Sequence, residues 1–229
     1  MAVSGGIQRP LGGRQRLRAV FFDVGETLID ETRVWEAWAD WLGVPRFTLL
    51  GLLGATIARG EHHTKALEIV RPGIDLEAER QARAAAGAPD GFVGTDLYSD
   101  AVDCLQALRS AGYVVGIAGN MSKTRERSLL EMALPADIVA SSETLGAEKP
   151  SVAFFSGLCE LVAVPRSEAA YVGDRLDNDV LPAASLGMVA IFVRRGPWGH
   201  LHAERPDAGR ADIRISSLDE LPSALSRLR

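Results

Sequence analysis

One stretch of the sequence decides the fold: Phe21-Phe22-Asp23-Val24-Gly25-Glu26-Thr27-Leu28. An apolar run, Ala19 to Phe22, leads into a single aspartate and a turn that contains glycine. A short apolar run that glycine closes is typical of a buried strand followed by its turn. In an open α/β sheet, ligands bind outside the carboxyl ends of the strands. The stretch therefore places Asp23 where a fold of this kind carries out chemistry.

Further apolar, β-branched runs bounded by glycine, aspartate or asparagine predict more strands: Val114–Ala118, Ile138–Ala140, Ala169–Val172, Val189–Val193 and Ile213–Ile215. Amphipathic patterns between them predict helices over Asp100–Ala111, Ser151–Val162 and Asp179–Leu186. Such alternation indicates an α/β fold with a parallel sheet covered by helices on both faces.

Residues 30–98 interrupt the alternation, because no convincing strand pattern occurs there. Trp35, Trp38, Trp41 and Leu42 have helical spacing, and the segments from Phe47 to Ile57 and from Leu76 to Ala86 also look helical. An all-helical insertion directly after the first strand predicts a small cap over the carboxyl edge of the sheet. The predicted organisation is a disordered tail over residues 1–17, a core over 18–29 and 99–229, and a helical cap over 30–98.

Composition excludes several classes of function. The net charge of −5 offers no basic surface for nucleic acid, and no apolar run approaches the roughly 20 residues that span a bilayer. The 2 cysteines make no disulfide framework, which favours the cytoplasm. The N-terminal residues contain glycine and arginine without an apolar core, so they do not form a secretory signal.

Four polar segments end at the same predicted edge of the sheet: Asp23, Gly119-Asn120, Lys149-Pro150 and Gly173–Asp179. Asp23, Asp174 and Asp179 in one cleft would raise each other's pKa values unless a cation lay among them. Carboxylates of this kind suit Mg²⁺, and the compact charge of Lys149 suits a phosphoryl group in transfer. Backbone amides of the Asp23–Thr27 turn and those after Asn120 are expected to donate to phosphate oxygens.

The ordered set of motifs resembles the haloacid dehalogenase superfamily of hydrolases, from about Leu17 to the C-terminus. The set is Asp-x-x-x-Thr-Leu, a strand that ends at Asn120, Lys149-Pro150, and Gly-Asp-x-x-x-x-Asp. The resemblance implies a Rossmann-like three-layer core, a small helical cap, an aspartyl-phosphate intermediate and Mg²⁺.

The resemblance also implies a role for each matching residue. Asp23 matches the nucleophile and Lys149 the lysine that stabilises phosphate, while Gly119 and Asn120 occupy the phosphate-binding motif. The implied metal ligands are Asp23, the backbone carbonyl of Gly25, Asp174 and Asp179.

The chain departs from the family pattern at Gly25 and Gly119. Family phosphatases usually carry a second aspartate, the general acid and base, at the first position, and Ser or Thr at the second. Either Glu26 or a residue of the cap replaces the acid, or the substrate has a good leaving group such as an acyl or aryl phosphate. A third interpretation is a phosphonatase that uses Lys65, the only cap lysine, as an imine-forming residue. A fourth is a weakened member that only binds a phosphorylated ligand.

Several other side chains receive structural interpretations. Cys104 is predicted to be an inert core residue, Asp177 to cap a helix, and Arg194-Arg195 to attract an anion or be exposed. Solvent exposure is predicted for His62-His63, and a surface loop for the segment with Trp198, His200 and His202. The three cap tryptophans are expected to pack in the cap core, with the alternative that one of them lines the substrate cleft.

These interpretations combine into one expectation. The protein is a cytoplasmic, Mg²⁺-dependent hydrolase that acts through Asp23 on a small phosphorylated metabolite, without nucleic acid or membrane. No surface in the sequence marks an interface, so a homodimer is left open.

Overall fold

The fold is built around a parallel sheet in a computed structural model that describes residues 16–88 and 90–228. Its 6 strands lie in the order β3-β2-β1-β4-β5-β6. They are β1 (Ala19–Phe22), β2 (Val114–Gly119), β3 (Ile138–Ser141), β4 (Ala169–Gly173), β5 (Val189–Val193) and β6 (Ile213–Ile215). The predicted α/β, Rossmann-like core is confirmed. The predicted disordered tail falls almost entirely outside the described residues.

The strand order reverses beside β1, and this reversal locates the site. Phe22 of β1 pairs with Ile117 of β2 on one side and with Val172 of β4 on the other. The amide of Asp23 extends the ladder by donating to the carbonyl of Val172 at 2.8 Å. Connections from neighbouring strands leave a crevice at such a point, and ligands of doubly wound sheets bind there. Asp23 stands at the mouth of this crevice.

Strand β1 is buried on both faces, which explains its unbroken apolar sequence. Val20 and Phe22 pack into one hydrophobic cluster, and Ala19 and Phe21 pack into another on the opposite face. All four side chains have 0% exposed surface. The strand is therefore a fixed support for the aspartate that follows it.

The core helices cover the sheet at positions close to the predicted ones. Their bounds are α5 (Ala101–Ser110), α6 (Lys123–Glu131), α7 (Ser142–Leu145), α8 (Val152–Leu161), α9 (Leu181–Ser185), α10 (Gly196–Ala203) and α11 (Leu221–Ser226). The single helix predicted over Asp179–Leu186 is wrong in its first part, because a π-helical turn spans Leu176–Val180 before α9 begins. In this turn Asp179 faces inward and accepts from the amide of Arg175 at 3.0 Å. Irregular turns of this type often mark functional sites.

The insertion after β1 is helical, as predicted. It consists of α1 (Thr32–Leu42), α2 (Arg46–Ala58), α3 (Lys65–Val70) and α4 (Leu76–Ala85). Trp35 and Trp38 are buried in the same cluster that covers one face of the sheet, and the indole of Trp41 donates to Glu79 at 2.7 Å. Within the described ranges no single helix is long and apolar enough to span a membrane; the bent pair of α1 and α2 meets that test only when joined.

Two chain segments connect the insertion to the core, and they pair with each other. Ile29 and Leu97 form an isolated antiparallel bridge. The amide of Asp30 donates to Asp96 at 2.8 Å, and that of Tyr98 donates to Leu28 at 3.0 Å. The domain boundaries at residues 29/30 and 98/99 stay predictions; this paired ladder lies across both.

A buried ion pair ties the second of these segments to the core. Arg195 donates to both carboxylate oxygens of Asp100, and it also donates to the carbonyl of Thr27 at 3.0 Å. Its guanidinium lies over the ring of Tyr98 at 4.2 Å. The expectation that Arg194-Arg195 attracts an anionic substrate is therefore wrong for Arg195, because Asp100 already neutralises it. Arg194 is exposed.

Arg195→Met is expected to lower the free energy of unfolding by about 3 kcal/mol, because removal of one partner leaves a buried charge uncompensated. This loss of stability lies at the low end of the range for buried ion pairs. Ser217 and Leu218 still donate hydrogen bonds to Asp100 in the variant, which partly stabilises the remaining charge. Chemical denaturation measures the loss, with Arg194→Met as the exposed control. Equal stability of the two variants would show that the pair contributes nothing.

Candidate active site

Three carboxylates from two strand ends meet in the crevice. Asp23 follows β1, and Asp174 and Asp179 follow β4. One oxygen from each lies within 4.8 Å of the others, and all three residues are buried. The structure thus brings together the acidic residues that the sequence analysis selected, although their roles stay predictions.

Lys149 lies in the middle of this acidic cluster. Its Nζ donates to Asp23 Oδ1 at 2.6 Å and to Asp179 Oδ1 at 2.7 Å. The lysine side chain is only 2% exposed, so water does little to screen these contacts. A residue that in isolation reads as a surface lysine is in fact the positive centre of the site.

Asn120 holds the backbone of Lys149 in place. Its Nδ2 donates to the carbonyl of Lys149 at 2.9 Å, and its Oδ1 accepts from the amide of Lys149 at 2.7 Å. The side-chain amide of Asn120 therefore positions Lys149, and its predicted contact with phosphate stays a prediction. Phosphate binding by the backbone of this segment stays a prediction.

Burial and mutual repulsion control the protonation of the cluster. Burial, with repulsion from Asp179 and Asp23, raises the pKa of Asp174 well above its ordinary range. Burial also raises the pKa of Asp179, to about 6, against the attraction of Lys149. Burial opposes the charge of Lys149, but Asp179 and Asp23 outweigh it and raise the lysine pKa. One ammonium does not balance three carboxylates, so the cluster favours a further cation.

The donor set fits Mg²⁺. Asp174 Oδ2 is buried and has no hydrogen-bond partner within the described part of the chain. Buried polar atoms in proteins nearly always have a partner, so an unpaired carboxylate oxygen in a group of three points to a ligand. Oxygen ligands in small number are what Mg²⁺ takes from proteins. The predicted contribution of the Gly25 carbonyl, from the turn after Asp23, stays a prediction.

Two glycines allow the chain to approach the carboxylates closely. A Cβ on Gly119 would lie 2.8 Å from Asp23 Oδ1, and a Cβ on Gly173 would lie 2.3 Å from Asp179 Oδ2. Real Cβ atoms do not come so close to a non-bonded neighbour, so a side chain at either position would require the carboxylate to shift. The lack of a side chain at position 119 leaves room for Asp23 Oδ1 in its present position.

The turn after Asp23 uses most of its own amides. The amides of residues 26–29 donate to carbonyl groups within the turn. The expectation that amides over the whole Asp23–Thr27 turn bind phosphate is therefore wrong for Glu26 and Thr27. Within the described chain, those of Val24 and Gly25 are the candidates.

Glu26 faces the segments that lead into and out of the insertion. It has a left-handed backbone, with φ of 53°. Its Oε1 accepts from the amide of Glu31 at 3.1 Å, and its Oε2 accepts from Tyr98 Oη at 2.7 Å. Burial raises its pKa to about 7, against the hydrogen bond from Tyr98. Both oxygens are occupied in joining these segments, which does not favour Glu26 as the proton donor.

Glu31 was missed by the sequence analysis, and it lies directly against the turn. Its carboxylate packs beside Gly25 and accepts from Arg125 Nη1 at 3.3 Å. Burial raises its pKa; Arg125 opposes the shift and Asp23 adds to it. Nothing in the local sequence distinguishes Glu31 from Glu36, because the distinction comes from how the chain enters α1.

An aromatic group lies between the insertion and the core. The ring of His63 meets Trp35 edge-on at 5.7 Å and Trp198 at 5.6 Å. The predicted exposure of His62-His63 is therefore wrong for His63, while His62 is exposed. Burial, aided by nearby positive groups, lowers the pKa of His63 to about 3, so its ring is neutral.

The segment after β5 is a helix, so the predicted surface loop is wrong. In α10, Trp198 and His202 are buried and His200 is exposed. His202 Nδ1 accepts from the amide of Leu176 at 3.0 Å, which fixes the start of the π-helical turn. Trp198 lies under the guanidinium of Arg175 at 5.1 Å.

The remaining candidates have structural partners. Lys65 is exposed at the start of α3 and donates to Glu68 at 2.7 Å. Asp177 pairs with Arg175 at 2.8 Å. Cys104 is buried, as predicted. Within the described chain Lys65 pairs with Glu68 and not with the acidic cluster, so the imine-forming interpretation has no structural support.

The structure defines an α/β protein with a parallel sheet and an acidic cluster at the carboxyl edge of that sheet, and comparisons with known proteins identify its family. A family model described as haloacid dehalogenase-like hydrolase matches residues 17–187. The chain therefore belongs to the haloacid dehalogenase-like hydrolases, and the predicted family and hydrolase class are confirmed.

Named relatives lie at lower similarity. A glyceraldehyde 3-phosphate phosphatase of Methanopyrus kandleri is 29% identical over 65% of this chain and 66% of its own length, just under two thirds. A protein of the same name from Pyrococcus furiosus is 26% identical over 93% of this chain and 95% of its own. The crystal structure of a phosphatase of the family from Thermococcus onnurineus superposes with a TM-score of 0.60, at 24% identity, over 91% of this chain and 98% of that one.

Proposed function

We propose that this protein is a Mg²⁺-dependent phosphatase that hydrolyses a small organic phosphate through a phosphorylated Asp23. The observation that carries the proposal is the contact of Lys149 Nζ with both Asp23 and Asp179, beside the unpaired oxygen of Asp174. The arrangement provides a nucleophile, a fixed positive charge and a set of oxygen ligands in one buried place. Relatives named as phosphatases support the same reaction.

Asp23 is suited to nucleophilic attack on phosphorus. One carboxylate oxygen forms the bond to phosphorus while the bond from phosphorus to the leaving oxygen breaks, and water then releases phosphate from Asp23. Lys149 holds Asp23 in position and attracts the equatorial oxygens of the phosphoryl group. When Mg²⁺ is bound by Asp23, Asp174 and Asp179, it supplies charge neutralisation for the phosphate.

The proposed substrate is a small phosphorylated metabolite with few carbons. The relatives are named for the phosphate of a three-carbon aldehyde. The helical insertion begins beside the site, where Glu31 packs against Gly25. The proposal requires neither nucleic acid nor a membrane. The cytoplasm is proposed as its compartment, since both cysteines are free and buried. A homodimer stays a prediction.

Phosphate release in the presence and absence of Mg²⁺ tests the proposal. We expect release from glyceraldehyde 3-phosphate, p-nitrophenyl phosphate or acetyl phosphate with Mg²⁺, its loss after dialysis against EDTA, and its return when Mg²⁺ is added back. The effect of chelation should be at least about 100-fold, because the charge stabilisation that a metal supplies is worth several kcal/mol.

The alternatives give different results in the same assay. Release that persists in EDTA would contradict the role of the metal. Tight Mg²⁺-dependent binding of phosphate esters without turnover would favour a phospho-ligand sensor. Release only from a phosphonoaldehyde, with loss in Lys65→Met, would favour a phosphonatase.

A further inference from the structure

A side chain at position 25 would overlap with the carboxyl group of Glu31. A Cβ built on Gly25 would lie 2.9 Å from Glu31 Cδ and 3.0 and 3.2 Å from its two carboxylate oxygens. The backbone of Gly25 is not left-handed, so a side chain at this position is excluded by space and not by conformation. The volume that a side chain on residue 25 would occupy is filled by the carboxyl group of Glu31.

Glu31 is held in this place by contacts of both its backbone and its side chain. Its own amide donates to Glu26 at 3.1 Å, and its Oε1 accepts from Arg125 at 3.3 Å. Arg125 is fixed in turn by Asp90, which accepts at 3.0 and 3.2 Å. The side chain of Glu31 is 14% exposed, so it is enclosed but not sealed from the crevice.

The side chain of Glu31 does not cap its helix, although its carbonyl accepts from the amide of Trp35 at 3.0 Å. It precedes α1 at the N-cap position, and its side chain makes no capping hydrogen bond there. Residues that cap helices at this position are mostly Ser, Thr, Asp or Asn, and the carboxyl group of Glu31 lies instead against Gly25 in the turn after the nucleophile. Its carboxyl group packs against Gly25, so it lies beside the turn that follows the nucleophile Asp23.

We propose that Glu31 transfers the proton for the reaction of Asp23, from the position that a side chain on residue 25 would otherwise occupy. This inference rests on the proposed phosphatase function. In the first step Asp23 bonds to phosphorus, the bond from phosphorus to the leaving oxygen breaks, and the carboxylic acid of Glu31 gives its proton to that oxygen. In the second step Glu31 takes a proton from water as the water oxygen bonds to phosphorus, and the bond from phosphorus to Asp23 breaks. In the net reaction, the phosphate ester and water are converted to the alcohol and inorganic phosphate.

Leaving-group dependence tests the first step. General acid catalysis contributes about 10²–10⁴-fold, and an alkoxide needs it more than a nitrophenolate does. We expect Glu31→Gln to reduce turnover of glycerol 3-phosphate by about 10²-fold or more. With p-nitrophenyl phosphate the same variant should release one nitrophenolate per site at close to the wild-type rate and then stall, because hydrolysis of phospho-Asp23 lacks its base.

A double variant tests the placement. Glu31→Ala opens the space beside Gly25. The double variant Gly25→Asp with Glu31→Ala should therefore turn over glycerol 3-phosphate at least tenfold faster than Glu31→Ala alone. Gly25→Asp alone should not raise activity above the wild-type rate, since Glu31 obstructs the new side chain. Glu61→Gln, an exposed glutamate of the insertion, is the matched control and should keep wild-type rates.

The outcomes separate this inference from the proposed function. Wild-type turnover of glycerol 3-phosphate by Glu31→Gln would overturn the inference and leave the phosphatase proposal intact. Equal loss with both leaving groups, no burst, and no recovery in the double variant would assign Glu31 a purely structural role and also overturn it. A wild-type enzyme that releases phosphate from neither ester would instead overturn the proposed function.

Discussion

Replacing Asp23 by asparagine is expected to reduce phosphate release by about 10⁴-fold or more while the fold is retained. The amide is close to the carboxylate in size but cannot attack phosphorus, and loss of a nucleophile removes most of the catalysis in enzymes of this kind. Lys149 keeps its contact with Asp179, so the site stays closed. Initial rates from p-nitrophenyl phosphate with Mg²⁺ measure the activity, and thermal unfolding measures the fold.

The matched control for this experiment is Asp103→Asn. Asp103 is an exposed aspartate on α5, and its change to asparagine should leave activity and stability unchanged. If Asp23→Asn retained more than about one hundredth of the wild-type rate, a residue other than Asp23 would have to be the nucleophile.

Lys149→Met is expected to lose both activity and stability. The variant removes the only ammonium among three buried carboxylates, and an uncompensated buried charge of this kind costs about 3–5 kcal/mol. Loss of the fixed charge that faces the phosphoryl group should reduce phosphate release by about 10³-fold. Denaturant unfolding and initial rates give the two effects separately. Added Mg²⁺ should restore part of the stability, because the vacated acidic cluster still binds a cation.

Lys123→Met serves as the control for the loss of a lysine. Lys123 is exposed at the start of α6, so the same change there should alter neither stability nor rate. A Lys149→Met variant that is as stable as the wild type would show that the acidic cluster is not charged as the structure indicates.

The fold was predictable because its signals are local. The strands β1, β4 and β5 are buried on both faces and read as short apolar runs, and the insertion shows helical spacing without strand patterns. The acidic residues were predictable too, since the ends of parallel strands converge on one edge of the sheet. The partners that each side chain contacts at this edge could not be predicted from the sequence.

The errors share one physical cause, which is packing between segments far apart in the chain. His63 reads as polar and exposed but is enclosed by Trp35 and Trp198. Arg195 reads as a free cation but is neutralised by Asp100, 95 residues away. The hydrophobic periodicity of a single segment does not indicate contacts with distant segments.

Gly25 shows how the same limit affects the interpretation of chemistry. In the sequence this glycine reads as the loss of a carboxylate. In the structure the missing side chain's volume contains the carboxyl group of Glu31, which the ladder between the two connecting segments brings to that position. The glycine at position 25 can be interpreted only together with Glu31, which lies beside it in the structure.

Direct detection of a phosphorylated Asp23 tests the central claim. The wild-type enzyme with Mg²⁺ would be mixed with p-nitrophenyl phosphate, quenched in acid, reduced with borohydride and digested with trypsin. An acyl phosphate on Asp23 predicts conversion of that aspartate to homoserine in the peptide that runs from Ala19 to Arg33. The Glu31→Gln variant should give a larger yield, and Asp23→Asn should give none. Turnover of the ester with an unmodified Ala19 to Arg33 peptide in both the wild type and Glu31→Gln would contradict the account.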